Sequence, residues 1–361
     1  MKKLQIFSIA ILLLFLSLSG VAQINKKQIK KNNKKMSNFK GQKNDFSKKR
    51  YLYMGGGINT MNYFGDIAPK SGIFSTKISS TRPGLTGMLG YRIGPRYTIQ
   101  ASLSYGVLFS DDNIAADPIG DNSKYRYVRN LHFRNNIYEF SVVGIIDLYK
   151  NEGSYLSRVE ITPYALIGIA GFHHNPKAKA PATNVHTGAA VPEAGQWVSL
   201  RPLGTEGQYA NLEPTDANFG IKPYSLWQAS IPFGLGLRYR LGSALDFSFD
   251  ITFRYLFFDY IDDLSSNYVD LGVLDGDLAK VMSDRSREPV GAFSGDARDL
   301  AAWPEYTYDG RDGNAYNVTR GFGHESFYDK RGGASDNDIY YVTSLKVSYV
   351  IGASFRRAKF R

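Results

Sequence analysis

The sequence predicts an all-β fold: an eight-stranded antiparallel up-and-down transmembrane β-barrel with long extracellular loops. One observation is the length of the apolar alternation. From Leu245 to Phe257 every odd position is apolar, and every even position except Leu256 is polar or charged. A period of two is the period of a β-strand. The 13 residues of this run exceed the ~9–11 that a tilted strand needs to cross a bilayer, so its apolar face is expected to meet lipid.

Seven further segments repeat this pattern and bring the predicted number of strands to eight. The clear repeats are residues 97–109, 227–241 and 339–355, and the weaker ones are residues 51–62, 84–93, 136–148 and 159–172. The run at 227–241 is typical of the set, with large apolar residues alternating with Gln, Ser, Gly and Arg.

The connections between these segments supply the second observation. Short connections at 94–96, 149–157 and 242–244 alternate with long ones at 64–83, 110–135, 173–226 and 258–338. Bacterial barrels alternate short periplasmic turns with longer outer loops. With the N-terminus in the periplasm, every short turn lies inside and every long loop outside. The alternative is a soluble β-sandwich or lipocalin-like barrel with its apolar faces inward; aromatic residues near the strand ends favour a membrane.

The first residues predict export. Lys2 and Lys3 precede an apolar stretch, and small residues follow at Gly20–Ala22, so residues 1–22 are interpreted as a secretory signal peptide. A transmembrane anchor is the alternative, but the apolar stretch is short for a span of ~20 residues. The chain contains no cysteine, which excludes disulfides, lipid attachment at cysteine and thiol chemistry.

The positive charge is concentrated in one segment. The net charge is +11, yet residues 25–50 hold ten lysines and one arginine against Asp45 alone, which leaves residues 51–361 nearly neutral. Residues 23–50 have too few apolar side chains for a core and are predicted to be a disordered basic periplasmic tail. The barrel is assigned to 51–356, and 357–361 form a basic C-terminal end.

The tail has three interpretations: a solvated linker, an arm for anionic lipid headgroups, or an arm for an acidic periplasmic protein. An exported chain is not expected to bind nucleic acid. Besides a periplasmic protein, the expected partners are outer-membrane lipids. The candidate partner-binding residues are Lys26, Lys27, Lys30, Lys31, Lys34, Lys35, Lys48, Lys49, Arg50, Arg356, Arg357 and Lys359.

The predicted lumen argues against a channel. An eight-stranded barrel is just wide enough for its own side chains, so its inward charges must neutralise one another. The candidates are five bases and five acids: Arg92, Arg238, Arg240, Arg254, Lys346, Glu139, Asp147, Glu160, Asp246 and Asp250. A small porin is the alternative, and it would need extra strands hidden in the long loops.

Catalytic and metal-binding patterns are weak. The five histidines (His132, His173, His174, His186 and His324) have no metal-ligand or triad spacing and are expected to be solvated surface residues. The Gly55–Gly57 run lacks the Lys-Ser/Thr of a phosphate-binding loop and is expected to allow close strand packing. The chain is therefore predicted not to be an enzyme and to hold no cofactor. Ca²⁺ at the outer loops stays the alternative, from Asp309–Asn314, which lacks the closing Glu of a calcium loop.

Barrel closure brings the first, seventh and last strands together at one arc of the outer rim. Asp66, Asp259, Asp336 and Asp338 are expected to gather there, either as turn and cap residues or as a site for a cation or a partner.

Three stretches on these strands resemble the PorG-like family of Bacteroidota outer-membrane proteins. They are Gly55–Asn59 with Asn62–Asp66, Arg254–Asp270 with its Asp-Tyr-Ile-Asp-Asp-Leu-Ser core, and Arg331-Gly332 with Asn337, Asp338 and Tyr340. The rim residues within these motifs are Asp66, Asp259, Tyr260, Asp262, Asp263 and Asp338.

The resemblance implies a non-enzymatic subunit of the type IX protein secretion and gliding machinery. Such a subunit would reside in the outer membrane with both termini periplasmic and would dock a ring-forming periplasmic lipoprotein. Two alternatives stay open: a surface barrel whose long loops bind an extracellular ligand or partner, and a small porin.

Overall fold

The computed structural model describes residues 50–67, 80–116, 123–152, 158–333 and 337–351. Its strands, in chain order, are β1 (Tyr51–Phe64), β2 (Arg82–Arg92), β3 (Tyr97–Asp111), β4 (His132–Asp147), β5 (Ile161–His173), β6 (Pro176–Lys179), β7 (Trp197–Ser199), β8 (Trp227–Arg240), β9 (Leu245–Leu256), β10 (Glu305–Asp309), β11 (Ala315–Thr319) and β12 (Ile339–Val350).

Eight of these strands close into an antiparallel barrel. Their order is β3-β2-β1-β12-β9-β8-β5-β4, and β4 pairs back onto β3. Each barrel strand pairs with its neighbours in sequence, and β12 closes on β1 from Tyr53↔Val350 to Phe64↔Ile339. The predicted eight-stranded up-and-down barrel is confirmed. The loop hairpin β10–β11 forms a sheet of its own, so it does not widen the barrel wall.

Side chains alternate in exposure along the strands, as the sequence predicts. In β9 the odd residues Phe249, Ile251 and Tyr255 are exposed, whereas Asp246, Asp250 and Arg254 are buried inside. The other strands show the same exposed apolar band, for example at Leu85, Leu103, Ile169, Leu235 and Val347. A hydrophobic outer band around a polar interior is the arrangement of a membrane-spanning barrel, the inverse of a soluble one.

The chain enters and leaves the barrel at the end that carries the three short turns, because Tyr53 pairs with Val350 there. The last strand ends at Val350, five residues before the predicted end at 355. The predicted signal peptide and the basic residues Lys26 to Lys49 and Arg356 to Lys359 lie outside the described residues. Arg50 is described and is exposed.

The two longest loops, residues 174–226 and 257–338, fold over the opposite end of the barrel. We call this structure the cap. It contains β6, β7, β10, β11 and the helix Gly276–Ser283. Two apolar clusters hold it together, one around Ala178, Val191 and Met282 and another around Val269, Leu271 and Tyr316. Among the described residues, no helix is long and apolar enough to span a bilayer.

Candidate functional site: the filled lumen and the outer rim

The lumen near the short turns is filled by a chain of ion pairs. Arg92 Nη1 lies 2.7 Å from Asp147 Oδ2, and Arg238 Nη1 lies 3.3 Å from the other Asp147 oxygen. Arg92 also donates to the carbonyls of Gly94 and Pro95 in the β2–β3 turn. These contacts tie three strands together across the lumen.

The middle of the lumen is centred on Asp250. Lys346 Nζ lies 2.5 Å from Asp250 Oδ1, and the Tyr164 hydroxyl donates to the same oxygen at 2.7 Å. Gly57 faces Lys346 across β1 and β12, and a methyl group at Gly57 would overlap the Lys346 chain and the Leu345 carbonyl oxygen. Gly57 therefore makes room for the lysine to cross the lumen, the close packing expected from the sequence.

A third layer lies nearer the cap. Arg254 donates to both Glu139 oxygens at 2.9 Å, a bidentate geometry that is among the stronger ion pairs. The Tyr340 hydroxyl donates to Glu139 Oε2 at 3.0 Å. Between this layer and Asp250 is a polar cavity of about 30 Å³, enough for about two water molecules.

Two of the ten predicted lumen residues differ from expectation, and one partner was missed. Glu160 is exposed just before β5, so its assignment to the lumen is wrong: the strand begins one residue later, at Ile161. Arg240 is half-buried at the end of β8, opposite Asp246. The buried partner of Asp246 is Arg158, at 2.8 Å, from a connection whose sequence shows no strand alternation.

Above the Glu139–Arg254 pair the lumen becomes apolar. Inward residues of the strands, including Leu108, Phe172 and Leu256, pack against loop residues Ile67, Ile261 and Leu264 in one buried cluster. We call this cluster the plug. Leu256 is the single break in the alternation of β9, and its position in the plug explains it: at this level the inward face is apolar. The plug closes the end of the barrel that carries the cap.

Two rim carboxylates share one phenol. The Tyr63 hydroxyl lies 2.6 Å from Asp262 Oδ2 and 2.7 Å from Asp338 Oδ1. A phenol carries one proton and donates to one acceptor, so the second contact requires a protonated carboxyl as donor. Burial raises the pKa of both Asp262 and Asp338 well above the ordinary value, and neighbouring carboxylates, Asp66 and Asp259 among them, raise both further. Asp66, Asp259 and Asp338 therefore gather at the rim as expected, together with Asp262. The fourth acid expected there, Asp336, lies outside the described residues.

Asp263, which follows Asp262 in the chain, faces the cap. Asp263 accepts from the hydroxyls of Thr205 and Tyr224, both at 2.6 Å. It has a left-handed backbone, φ 72°. Burial raises the pKa of its carboxyl, and Arg331 opposes this rise.

Arg331 is the cation at the centre of the cap. It is 1 % exposed and lies 3.2 Å from Glu206 Oε1. Its guanidinium also donates to the carbonyls of Asp263 at 2.6 Å and Ser283 at 3.1 Å. One arginine thus joins both long loops.

The remaining motif residues also hold loops in place. Asp66 accepts the Gly333 N–H at 2.8 Å, and its carbonyl accepts from Arg129. Tyr260 stacks on Tyr224 with ring centroids 4.9 Å apart, and Asp259 is 8 % exposed. The rim motif is therefore placed where it fastens the cap to the barrel.

The expectation of solvated histidines is wrong for three of the five. His132 and His174 are buried, and the side chain of His186 is fully buried. His174 stacks on Tyr224, and burial lowers its pKa to about 4. His174 and His186 lie in loops that fold into a compact cap, which their turn-rich sequence does not reveal. His132, at the start of β4, is covered by Trp197 and Phe293 of the cap.

The acidic side chains of the outer loops do not form a metal centre within the described ranges. No group of three His, Asp or Glu side chains there is arranged to hold a metal ion. In the segment that resembles a calcium loop, Asp312 lies 2.8 Å from Lys280 Nζ and Gly313 turns the β10–β11 hairpin with φ 79°. The Lys280 ammonium group therefore occupies the place where a metal ion would bind the Asp312 carboxylate.

Sequence reasoning missed one further residue that fastens the loops. Arg129 donates to both oxygens of Asp112 at 2.8 and 2.9 Å and to the Arg331 carbonyl at 2.8 Å. It ends the helix Lys124–Arg129 in a loop without periodicity. No signal in the sequence distinguishes it from a solvated arginine.

A family model described as a domain of unknown function, DUF6089, matches residues 46–188. No curated protein matches the chain. The match spans the first five barrel strands.

Several solved outer-membrane proteins are structurally similar to the chain. OprG from Pseudomonas aeruginosa has 9% identity and a TM-score of 0.35, covering 84% of this chain and 96% of that one. A major outer membrane protein from Thermus thermophilus has 9% identity and a TM-score of 0.33, covering 82% and 99%. The attachment invasion locus protein Ail of Yersinia pestis has 7% identity and a TM-score of 0.30, covering 83% and 97%. The barrel assignment rests on the chain's own strand order and lipid-facing band.

Proposed function

We propose that this chain is an outer-membrane β-barrel that acts as a structural docking subunit, without catalysis and without a conducting pore. The observation that carries the proposal is the closure of the barrel. The ion pairs of Asp147, Asp250 and Glu139 fill the lumen at three levels, and the plug closes its outer mouth. A barrel closed in this way presents two surfaces for binding, one at each end.

We further propose the type IX secretion and gliding machinery of Bacteroidota as its setting. The support is the resemblance of the motifs at 55–66, 254–270 and 331–340 to PorG-like proteins. The chain enters and leaves the barrel at the short-turn end, so the basic residues 26–50 and 356–359 start from one face. In the outer membrane that face would be periplasmic, where it would attract an acidic partner such as a ring-forming lipoprotein over about one Debye length, ~8 Å at physiological salt.

The test is co-purification from detergent-solubilised outer membranes. The full-length chain is expected to retain a periplasmic lipoprotein, and deletion of residues 25–50 is expected to reduce its yield at least about ten-fold, an effect that salt should reproduce. The matched control keeps the length of the tail and replaces its ten lysines by glutamine, so it separates the effect of charge from that of length. Retention that resists both the deletion and high salt would refute docking through the tail.

A second candidate is recognition of an extracellular ligand by the cap, and one observation favours it. The cap is internally packed, yet Phe327 and Tyr328 are 65% and 92% exposed on it. Exposed aromatic residues on a rigid scaffold are common in binding surfaces. Replacing both by serine and measuring surface adhesion alongside secretion separates the candidates: loss of adhesion with intact secretion would favour the cap.

A further inference from the structure

The outer wall of the barrel carries a group of basic side chains just beyond its lipid-facing band. They are Arg134 on β4 and Lys177 and Lys179 on β6, and we call them the basic cluster. Arg134 pairs with Lys177 across the two strands, and Lys177 and Lys179 are two residues apart on one strand. Directly paired residues and residues i and i+2 share one face of a sheet, so the three cations project on the same side.

That side is the outer one. Along β4 the residues in phase with Arg134 are Asn136, Tyr138 and Phe140, of which Tyr138 and Phe140 are exposed in the lipid-facing band. Ala178, between the two lysines, is buried on the opposite face, in the core of the cap. The cations therefore face outward beside the barrel.

The position of the basic cluster relative to the membrane follows from a row of aromatic rings. Tyr138 lies between Tyr105, 5.1 Å away, and His173, 6.4 Å away, and His173 contacts Trp227. Such girdles mark the edge of the hydrocarbon layer. Arg134 lies four residues beyond Tyr138, or ~14 Å along the strand. With the usual strand tilt this is about 10 Å above the girdle, at the outer side of the headgroup layer, which is ~5–8 Å thick, so extended arginine and lysine side chains can reach the headgroups.

Aromatic rings hold the cations in position. The guanidinium of Arg134 lies 5.7 Å from the Trp197 ring centroid, and Lys179 Nζ lies 5.7 Å from that of Phe293. Trp197 and Phe293 are in contact at 5.9 Å. The Lys179 backbone N–H donates to His132 Nε2 at 2.9 Å. The cluster is thus built on paired strands and packed rings.

No internal counter-charge neutralises the cluster within the described part of the chain. None of the ion pairs between described residues includes Arg134, Lys177 or Lys179, whereas the lumen cations Arg92, Arg254 and Lys346 all have carboxylate partners. Three neighbouring positive charges repel one another, and an external anion relieves this repulsion.

We propose that the basic cluster binds the phosphate groups of an anionic lipid in the outer leaflet, with Trp197 and Phe293 beside the lipid's headgroup. The outward direction, the height above the aromatic girdle and the continuity with the lipid-facing band favour a membrane lipid over a soluble anion. The inference rests on the outer-membrane placement proposed above.

The experiment reconstitutes the full chain into phosphatidylcholine vesicles with or without bis-phosphorylated lipid A and measures the lipid A bound per protein. Each basic residue near an anionic surface strengthens binding about five-fold, so Arg134→Gln/Lys177→Gln/Lys179→Gln is expected to weaken it about 100-fold. The matched control, Lys222→Gln/Arg320→Gln/Lys330→Gln, removes three exposed cap cations and should retain wild-type binding. Dephosphorylated lipid A should bind the wild-type protein as weakly as lipid A binds the triple variant.

Four results would overturn the proposal. They are wild-type binding by the triple variant, equal loss in the control, equal binding of dephosphorylated lipid A, and binding of soluble dextran sulfate in place of vesicle lipid A. The last would indicate an acidic polysaccharide. Folding of each variant is checked by its gel mobility before and after heating. A chain that fails to insert into any vesicle would refute the membrane placement as well, whereas insertion without lipid A preference would refute the basic cluster alone.

Discussion

At the scale of single residues, Tyr63 links the barrel to the loops above it. Its hydroxyl contacts Asp262 and Asp338 at once, and each of these carboxyls also accepts a loop N–H, from Leu264 and Ile261 respectively. A phenol between two carboxyls needs one of them protonated. Because burial raises both pKa values, the folded protein keeps a proton there that the unfolded chain releases above its ordinary carboxyl pKa.

Asp338→Asn is expected to remove most of this proton linkage. In the wild-type protein the stabilisation is complete below the unfolded pKa, about 4, and is lost as pH rises through the raised folded values. The asparagine amide donates to Tyr63 without a titrating proton, so the decrease in unfolding free energy as pH rises above the unfolded pKa should become shallower by up to about 1.4 kcal/mol per pH unit, the slope for one proton. Urea unfolding followed by tyrosine and tryptophan fluorescence at several pH values measures it.

Asp309→Asn is the matched control, since Asp309 is exposed at the end of β10. It should keep the wild-type pH dependence. A slope that is the same in Asp338→Asn and in the wild-type protein would show that the rim carboxyls hold no extra proton.

At the scale of elements, β9 shows how one strand serves three environments. Its odd residues face lipid, Asp246 and Asp250 contribute to two ion-paired layers, and Leu256 belongs to the plug. Arg254 lies at the boundary between the polar lumen and the plug, paired with Glu139. Breaking this pair leaves an uncompensated buried charge, which is more costly than replacing both partners.

Arg254→Met is expected to destabilise the barrel by about 3–5 kcal/mol, because it leaves Glu139 buried with Tyr340 as its remaining donor among the described residues. The double variant Glu139→Gln/Arg254→Met should recover most of this loss. Urea unfolding in detergent, followed by gel mobility, measures both. Arg320→Met, at an exposed cap position, is the control.

The same variants test closure of the lumen in planar bilayers. The plug lies beyond the Glu139–Arg254 pair, so neither the wild-type protein nor the double variant is expected to conduct steadily. Long-lived open channels in the wild-type protein would contradict the filled lumen and favour the small porin.

At the scale of the whole molecule, the barrel and the cap depend on different forces. Backbone pairing closes the barrel on itself, so each strand has two neighbours and no open edge is left in the bilayer. The cap has little regular structure and relies on its apolar clusters and on side-chain contacts to backbone. Arg331, with Glu206 and the Asp263 carbonyl, is one of these contacts and joins the two long loops.

Arg331→Met is therefore expected to open the cap while the barrel stays folded. Removing the cation leaves Glu206 and Asp263 as buried acids, at a cost of about 3–5 kcal/mol. Limited proteolysis should cut within 174–226 or 257–338 much faster than in the wild-type protein, and the gel mobility of the unheated barrel should be unchanged. Lys222→Met, at an exposed cap position, is the control; a cap equally resistant in both variants would contradict this role.

The barrel could be predicted from the sequence because successive side chains along each strand alternate between two environments. Lipid on one side and a polar lumen on the other impose a period of two, which thirteen residues of β9 and its exit display. The lumen acids and bases follow from the same phase, and the two residues that differ from expectation, Glu160 and Arg240, lie at strand ends, where the enclosing wall stops. Arg129, His174 and His186 could not be predicted, because loop residues acquire their neighbours through contacts distant in sequence.

The sequence by itself determined the eight barrel strands, the face of each that meets lipid and the end at which long loops gather. These features depend on local alternation and on connection lengths, which are properties of consecutive residues. Only the tertiary structure decided that the long loops form a packed cap, that an apolar plug closes the lumen, and that Arg134, Lys177 and Lys179 share one outward face. Each of these depends on pairings between residues far apart in the chain, and no local pattern encodes which loop side chains meet.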